Sequence, residues 1–294
     1  VRTLMPLACL LTVGCWGRGA EYEGGGPVDT SGPETVSCGE EPEEVTGWRI
    51  EGVTLDLETG LAPMMADGLC ATAIDPSPVL AGGAPDDLAV GQVCDDGVFK
   101  IFNLGAAPAV GMFVVIDDCP PGFSGDTAES DQANTVLRSA NGVKSADIAG
   151  LGSGDVYYMN STEGDFDTSF LSRTYQATIE GELVEYDGSL DDSGFLGGLL
   201  LDVSHQPVEG ATITCGNCAL LTASYQDDDP SDGLFQTGTT PNAASLTSGS
   251  GRYFLPGAGV STYTIDDGGS HTWNATLLGS LPGYAVFSNF VATN

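Results

Sequence analysis

The chain has 294 residues, of which 41 are acidic and 8 are basic, so its formal net charge is -33. A surface of that sign repels phosphate backbones, which excludes nucleic acid as a partner. Hydrophobic residues make up 41% of the chain, which is enough to bury cores rather than leave the chain disordered throughout. At roughly 100 to 200 residues per domain, this length predicts two globular domains.

The first 14 residues have the features of an export signal. Arg2 supplies a basic start, residues 4–13 form an apolar stretch, and Gly14 precedes Cys15. The stretch is shorter than the roughly 20 apolar residues that a membrane-spanning helix needs. Residues 11–15 (LTVGC) resemble a bacterial lipobox, which implies cleavage before Cys15, a lipid on that cysteine, and anchoring at the outer membrane or cell surface. An ordinary secretory signal, cleaved further along, is the alternative.

Residues 15–46 are rich in Gly, Pro, Ser and Glu and almost free of apolar side chains. Such a segment cannot offset the entropy lost on ordering, so it is predicted to be a disordered tether between the anchor and the folded part.

The cysteines beyond the anchor form an even set, which is typical of disulfides in an oxidising compartment. They are Cys38, Cys70, Cys94, Cys119, Cys215 and Cys218. The spacing of Cys215 and Cys218 also suits a redox dithiol or half of a zinc site, but no second CxxC is present, and a local disulfide is favoured. Cys70 and Cys119 are predicted to lie on neighbouring strand ends and to form a second pair.

From residue 47 onward, short apolar or alternating runs are separated by Gly, Pro, Asp and Asn, which is typical of an all-β protein. Three segments recur in the same order: 52–72 matches 198–214, 94–104 matches 248–257, and 110–119 matches 259–268. Such a series indicates an internal duplication. We therefore predict a mainly β protein with two β-sandwich modules, at residues 47–163 and 196–294.

The second copy resembles the carboxypeptidase regulatory-like, transthyretin-like β-sandwich family. The resemblance lies in residues 201–203 (LDV), 206–213 (QPVEGATI), 251–254 (GRYF) and 263–265 (YTI). It implies an Ig-like or transthyretin-like sandwich and no particular activity, because this fold hosts unrelated functions. The first copy follows the pattern less closely, since Pro63 is followed by MMADG.

The connecting segment, residues 164–195, has apolar residues near helical spacing, and Asp167 is available as an N-cap. This pattern favours a helix between the modules. Residues 175–183 also alternate as a strand would, so a strand over residues 165–186 is the alternative.

The candidate metal ligands are Asp227, Asp229 and Asp232, which stand on a turn that includes Gly233. Carboxylate oxygens on such a turn are ligands for Ca²⁺, the only cofactor that the sequence suggests. The EF-hand spacing is not met, however, and a solvated acidic loop is the alternative.

The candidate ligand-binding residues are Trp273 and Tyr284, two C-terminal aromatics that could stack on a sugar or a protein partner. Filling of the core is the alternative. No catalytic residue is predicted, because the sequence has neither a GxSxG nor an HExxH motif and its only histidines are His205 and His271.

These features favour a non-enzymatic, lipid-anchored envelope protein that acts in adhesion, scaffolding or ligand display. Its expected partners are the membrane, through the lipid, and surface polysaccharide or envelope proteins. A carbohydrate- or Ca²⁺-binding surface module is the first alternative, and a hydrolase with an unrecognised site is the second.

Overall fold

The computed structural model describes residues 35–36, 38, 41–63, 68–119, 136–159, 168–183, 188–215, 223–226 and 251–294. The predicted export signal, Cys15 and most of the predicted tether lie outside these residues. Within the described ranges, no helix is long and apolar enough to cross a membrane. Pro33–Asn294 forms one compact unit.

The protein is mainly β, as predicted. The strands that precede the longest helix are β1 (Thr35–Val36), β2 (Trp48–Asp56), β3 (Leu69–Asp75), β4 (Asp86–Gln92), β5 (Val98–Leu104), β6 (Met112–Asp118), β7 (Val136–Val143), β8 (Val156–Met159) and β9 (Thr168–Ser172). The later strands are β10 (Phe195–Leu201), β11 (Thr212–Cys215), β12 (Ser224–Tyr225), β13 (Arg252–Pro256), β14 (Ser261–Asp266), β15 (Thr276–Leu278), β16 (Tyr284–Phe287) and β17 (Phe290–Val291). The helices are a 3-10 turn (Ser77–Ala81), α1 (Ser145–Ile148), α2 (Arg173–Glu182) and α3 (Leu190–Ser193).

The first half of the chain forms two facing layers. One layer has the order β1-β4-β3-β6-β7, and in the other β2 pairs with β5, β8 and β9. Side chains of β2 alternate between buried and half-buried, as a strand with one face on a core requires. The largest of them, Trp48, is fully buried among residues of both layers, including Ile116.

The second half repeats this plan. The layer with the order β16-β10-β13-β12 corresponds to the β2 layer of the first half, and the three-stranded sheet β11-β14-β15 corresponds to the layer that contains β3 and β6. Tyr253 and Leu255 from the β10 layer meet Ile213 and Tyr263 from the three-stranded sheet in one buried cluster.

The register of the strand pairs confirms the duplication. In the first half Gly52 lies opposite Phe99, and in the second half the aligned residues Gly198 and Tyr253 lie opposite each other. The other layer of each repeat agrees in the same way. Ala71 pairs with Ile116 in the first half, and the aligned residues Ile213 and Ile265 pair in the second.

The final strand of each repeat is interrupted at the same place. β2 has two successive parallel partners, β8 and β9, and β10 likewise has β16 and β17. The repeat therefore extends to a parallel strand whose match is not visible in the sequence.

A glycine has the same role in both copies. Gly97 and Gly251 adopt φ of 78° and 58°, conformations that residues with a Cβ rarely adopt. Their carbonyls accept hydrogen bonds from the aligned residues Thr54 and Leu200, at 2.9 and 3.0 Å. A Cβ at Gly97 would lie 2.4 Å from the Thr54 carbonyl oxygen, so a side chain does not fit there.

The two repeats share one sheet. β7 of the first half pairs in parallel with β16 of the second, with Arg138 opposite Tyr284 and Asn141 opposite Phe287. Val115 on the outer face of the first repeat also belongs to the buried cluster of the second. The outer face of the first repeat is thus continuous with the face of the second repeat that packs against the sheet β11-β14-β15.

The connecting segment contains a strand and then a helix. Phe170 and Leu171 lie in β9, and α2 begins only at Arg173. Ser172, and not the predicted Asp167, is the N-cap, because its Oγ accepts a hydrogen bond from the Tyr175 amide at 3.2 Å. Tyr175 and Ile179 are buried on the face of α2 that packs against the sheet.

Candidate binding cleft

An open cleft of about 430 Å³ lies over this continuous face of the joined sheet, beside the sheet β11-β14-β15. Its floor comes from both repeats: Phe113 on β6, Ala140 on β7, and Tyr284 and Val286 on β16. One wall is formed by Val260 and residues 276–279. Other parts of the cleft are lined by the 3-10 turn, by α1 and by β8. The lining residues there include Pro76 and Val79 at the turn, Lys144 and Asp147 at α1, and Tyr158 in β8.

The rim of the cleft carries apolar side chains that face solvent. Of the eight large apolar residues that are exposed in the described part of the chain, four line this cleft: Val110, Tyr158, Val260 and Leu277. Leu277 is 61% exposed. A concentration of exposed apolar surface in one concave region is typical of a binding site.

Arg138 fixes the position of Tyr284 on the cleft floor. Its Nε donates to Asp117 Oδ2 at 2.6 Å, one of its terminal nitrogens donates to the Tyr284 hydroxyl at 3.0 Å, and its guanidinium lies 5.4 Å from the centre of the Tyr284 ring. Burial raises the pKa of the Asp117 carboxyl more than Arg138 lowers it, so this pKa lies above its ordinary value. The three side chains connect β6, β7 and β16 at the junction of the repeats.

Asn289 lines the cleft and is bonded to the second repeat. It follows β16 at the break between the two parallel strands, and its Oδ1 accepts a hydrogen bond from the Leu199 amide at 2.7 Å. Its Nδ2 is buried and has no hydrogen-bond partner among the described residues.

The two predicted ligand-binding residues do not share a site. Tyr284 lies on the cleft floor, whereas Trp273 packs against the core of the second repeat and is not part of the cleft lining. The Trp273 ring meets His271 edge to face, with 6.0 Å between ring centres.

Asp267 organises the loop that carries His271. Its Oδ1 accepts hydrogen bonds from the amides of Gly269, Ser270 and His271, and its Oδ2 lies 2.6 Å from His271 Nδ1. Burial alone would raise the pKa of the Asp267 carboxyl, but the hydrogen bonds from His271 and the backbone lower it more, so this pKa lies below its ordinary value. These bonds give Asp267 and His271 a structural role.

Replacement of Asp267 with Asn is expected to lower the free energy of unfolding by about 1 to 3 kcal/mol at neutral pH, because charge-assisted hydrogen bonds are lost. A carboxyl with a depressed pKa in the folded state stabilises the fold above its unfolded pKa of about 3.9, and this contribution is lost as the pH falls through the folded pKa. The difference between the wild type and the variant should therefore shrink in acid.

Urea unfolding at pH 7 and at pH 3 measures this difference. Asp266→Asn is the matched control, because Asp266 is exposed and its carboxylate accepts a single amide hydrogen bond, from Gly268. An Asp267→Asn effect that is unchanged between the two pH values would contradict the assigned role of the carboxylate.

The structure contains the disulfides Cys38–Cys94 and Cys70–Cys119, and the second is the pair singled out from the sequence. Both fit a protein of an oxidising compartment. Of the predicted pair Cys215–Cys218, Cys218 lies outside the described residues. The candidate Ca²⁺ ligands Asp227, Asp229 and Asp232 also lie outside them. Across the described ranges, no group of three or more His, Cys, Asp or Glu side chains could hold a metal ion.

Most of the cleft was not predicted from the sequence. Tyr284 stands out there as an aromatic residue near the C-terminus, but Phe113, Val260 and Leu277 fit the ordinary alternation of strands, and no local pattern marks them as parts of a site.

No protein-family model and no curated protein matches the chain. Among solved structures, it is similar to the Bacillus anthracis TIE protein, at 13% identity and a TM-score of 0.22, with 84% of this chain and 34% of that protein covered. A streptococcal ancillary pilin matches at 7% identity and a TM-score of 0.22, with 84% and 68% covered.

A third structure is a family 26 carbohydrate-binding module of Eubacterium rectale Amy13K in complex with maltoheptaose, at 7% identity and a TM-score of 0.23, with 83% and 93% covered. The chain spans about a third of the length of the first of these proteins. With TM-scores of 0.22 and 0.23, these likenesses define neither the fold nor the site of this chain.

Proposed function

We propose that the protein is a non-enzymatic, exported surface protein, lipid-anchored through Cys15, that acts in adhesion, scaffolding or ligand display. Its two β-sandwich repeats hold open the cleft at their junction, and the partner binds there. The observation that carries this proposal is the concentration of exposed apolar side chains around a floor built by both repeats.

The chemistry of the cleft supports binding rather than catalysis. Its lining contains one carboxylate, Asp147, and one amine, Lys144, together with tyrosines. General acid-base catalysis at neutral pH commonly uses a histidine or a pair of carboxylates, and the lining offers neither. Both histidines of the chain lie elsewhere, His271 in the loop bonded to Asp267.

Nile red, a neutral apolar dye, tests whether the cleft is an open binding site. The full chain is expected to bind one dye molecule, because the cleft volume and its apolar floor suit such a ligand. The double variant Val260→Glu/Leu277→Glu should bind the dye at least tenfold more weakly, since it places two charges on the wall.

The matched control is Val203→Glu/Leu61→Glu, which adds the same charge at exposed positions away from the cleft. Equal dye binding by the two double variants, or no binding by the wild type, would overturn the proposal. Turnover of ester, peptide or glycan substrates by the purified chain would overturn its non-enzymatic part.

Carbohydrate binding is the second candidate function, because Tyr284 and Tyr158 line the same cleft and sugar rings stack on aromatic faces. A surface polysaccharide present at 100 times its dissociation constant should then stabilise the fold by about 2.7 kcal/mol. The thermal unfolding midpoint in the presence of polysaccharides and of Ca²⁺ distinguishes the two candidates. A shift with Ca²⁺ alone would support a metal at the Asp227, Asp229 and Asp232 loop.

A further inference from the structure

The wall of the cleft is a sheet edge. In the three-stranded sheet β11-β14-β15, β15 pairs with β14 on one side and with no strand of the described chain on the other. Four consecutive residues at this wall, Thr276 to Gly279, all line the cleft. Because successive side chains of a strand point to opposite faces, a cleft lined by all four runs along the edge of β15 rather than along one face.

An unpaired edge offers a row of backbone donors and acceptors to any extended chain that lies beside it. The floor next to this edge is apolar and includes Phe113, Ala140 and Val286. Main-chain pairing at an edge beside an apolar floor is the arrangement that binds peptides by strand addition.

The net negative charge of the protein favours a positively charged partner. The lining of the cleft holds one acidic and one basic side chain and so is close to neutral, while the whole chain carries a net charge of -33. Its field attracts cationic segments and repels anionic ones. The surface of the cleft is mainly apolar, which suits the apolar side chains of a peptide better than the hydroxyls of a sugar.

We infer that the cleft binds an extended segment of a basic protein partner, which adds a strand to the free edge of β15 and places alternate apolar side chains on the floor. This inference rests on the proposed function, since it names the occupant of the same cleft. The segment it fits alternates apolar residues with lysine or arginine, the apolar set toward Phe113 and the cationic set toward solvent.

A fluorescent ten-residue peptide that alternates lysine with leucine or valine tests the inference by anisotropy with the full chain. The buffer is kept near 0.15 M salt, where long-range attraction between exposed charges is largely screened. Binding is expected with the wild type. Methylation of one alternate set of peptide amides should abolish it and methylation of the other set should leave it intact, because only one set faces the edge of β15.

Phe113→Glu separates apolar contact from simple charge attraction, because Phe113 is a half-buried residue of the cleft floor. It adds a negative charge, so attraction alone predicts tighter binding of the cationic peptide. Strand addition predicts binding at least tenfold weaker, because the variant removes an apolar contact to the peptide's inward side chains and places a charge among them. Leu61→Glu adds the same charge at an exposed position and should leave the affinity within about twofold of the wild type.

Equal loss of binding for both methylated peptides, no loss for either, or tighter binding by Phe113→Glu would overturn the inference. If Nile red binds the cleft but the peptide does not, the inference fails while the proposed function stands. If the dye also fails to bind, both fail. A midpoint shift with a polysaccharide that is lost in Phe113→Glu would assign the cleft to carbohydrate instead.

Discussion

Replacement of Cys70 and Cys119 together with alanine is expected to lower the free energy of unfolding by about 4 kcal/mol. The disulfide closes a loop with a sequence separation of 49 residues, and a cross-link over that length restricts the unfolded chain strongly. Both cysteines are buried beside Val90, where β3 and β6 pair, so the folded state loses little besides the bond.

The measurement is the thermal unfolding midpoint of the double variant, which should fall by on the order of 10 °C for a chain of this size. The wild type after complete reduction is the control, because it lacks every cross-link but keeps its side chains, and its midpoint should fall at least as far. A variant that unfolds within about 2 °C of the oxidised wild type would show that this disulfide does not stabilise the first repeat.

Phe99→Ala and Tyr253→Ala are each expected to lower the free energy of unfolding by about 3 to 5 kcal/mol. Both side chains are 0% exposed, and they occupy the aligned position of the two repeats, opposite Gly52 and Gly198. Because their surroundings are equivalent, the two losses should be similar in size.

Denaturant unfolding of both variants checks this equivalence. Tyr253→Phe is the control for the hydroxyl, which donates to the Ser288 carbonyl at 2.6 Å, and it should lose only about 1 kcal/mol. Leu61→Ala, at an exposed position, should change stability by less than about 0.5 kcal/mol. A large loss in only one of the two alanine variants would contradict the equivalence of the two repeats.

The β architecture and the duplication could be predicted because they are local properties of the chain. Alternation in residues such as Trp48, Ile50, Ile213 and Ile265 marks a face toward a core, and the aligned segments kept their register in the structure. The glycine before β5 and its counterpart before β13, Gly97 and Gly251, are equally local signals, since each reflects a backbone conformation.

The junction of the repeats could not be predicted in the same way. β7 and β16 pair although Arg138 and Tyr284 are far apart in sequence, and nothing in either strand specifies the other as its partner. Parallel pairing between distant segments depends on where both repeats place their outer strands. Because the cleft depends on that junction, its lining could not be predicted from the sequence. Trp273 and Tyr284 are near each other in the chain, but only Tyr284 lies in the cleft.

The segment between the repeats illustrates a competition between patterns. Phe170 and Leu171 fit the helical spacing predicted for the segment, but the structure uses them in β9 beside β2 and β7. The helix starts only where Ser172 can cap it and where Tyr175 and Ile179 reach the core. Tertiary pairing decided the boundary, and the sequence alone left it open.

Amide hydrogen exchange across the junction tests the central claim, that the two repeats form one sheet that carries the cleft. Amides of β7 (Val136–Val143) and β16 (Tyr284–Phe287) are expected to exchange as slowly as those of β2 and β10, because the junction opens only when the core unfolds. Rapid exchange in β7 and β16, with slow exchange retained in β2 and β10, would show that the repeats separate in solution and would contradict a stable cleft between them.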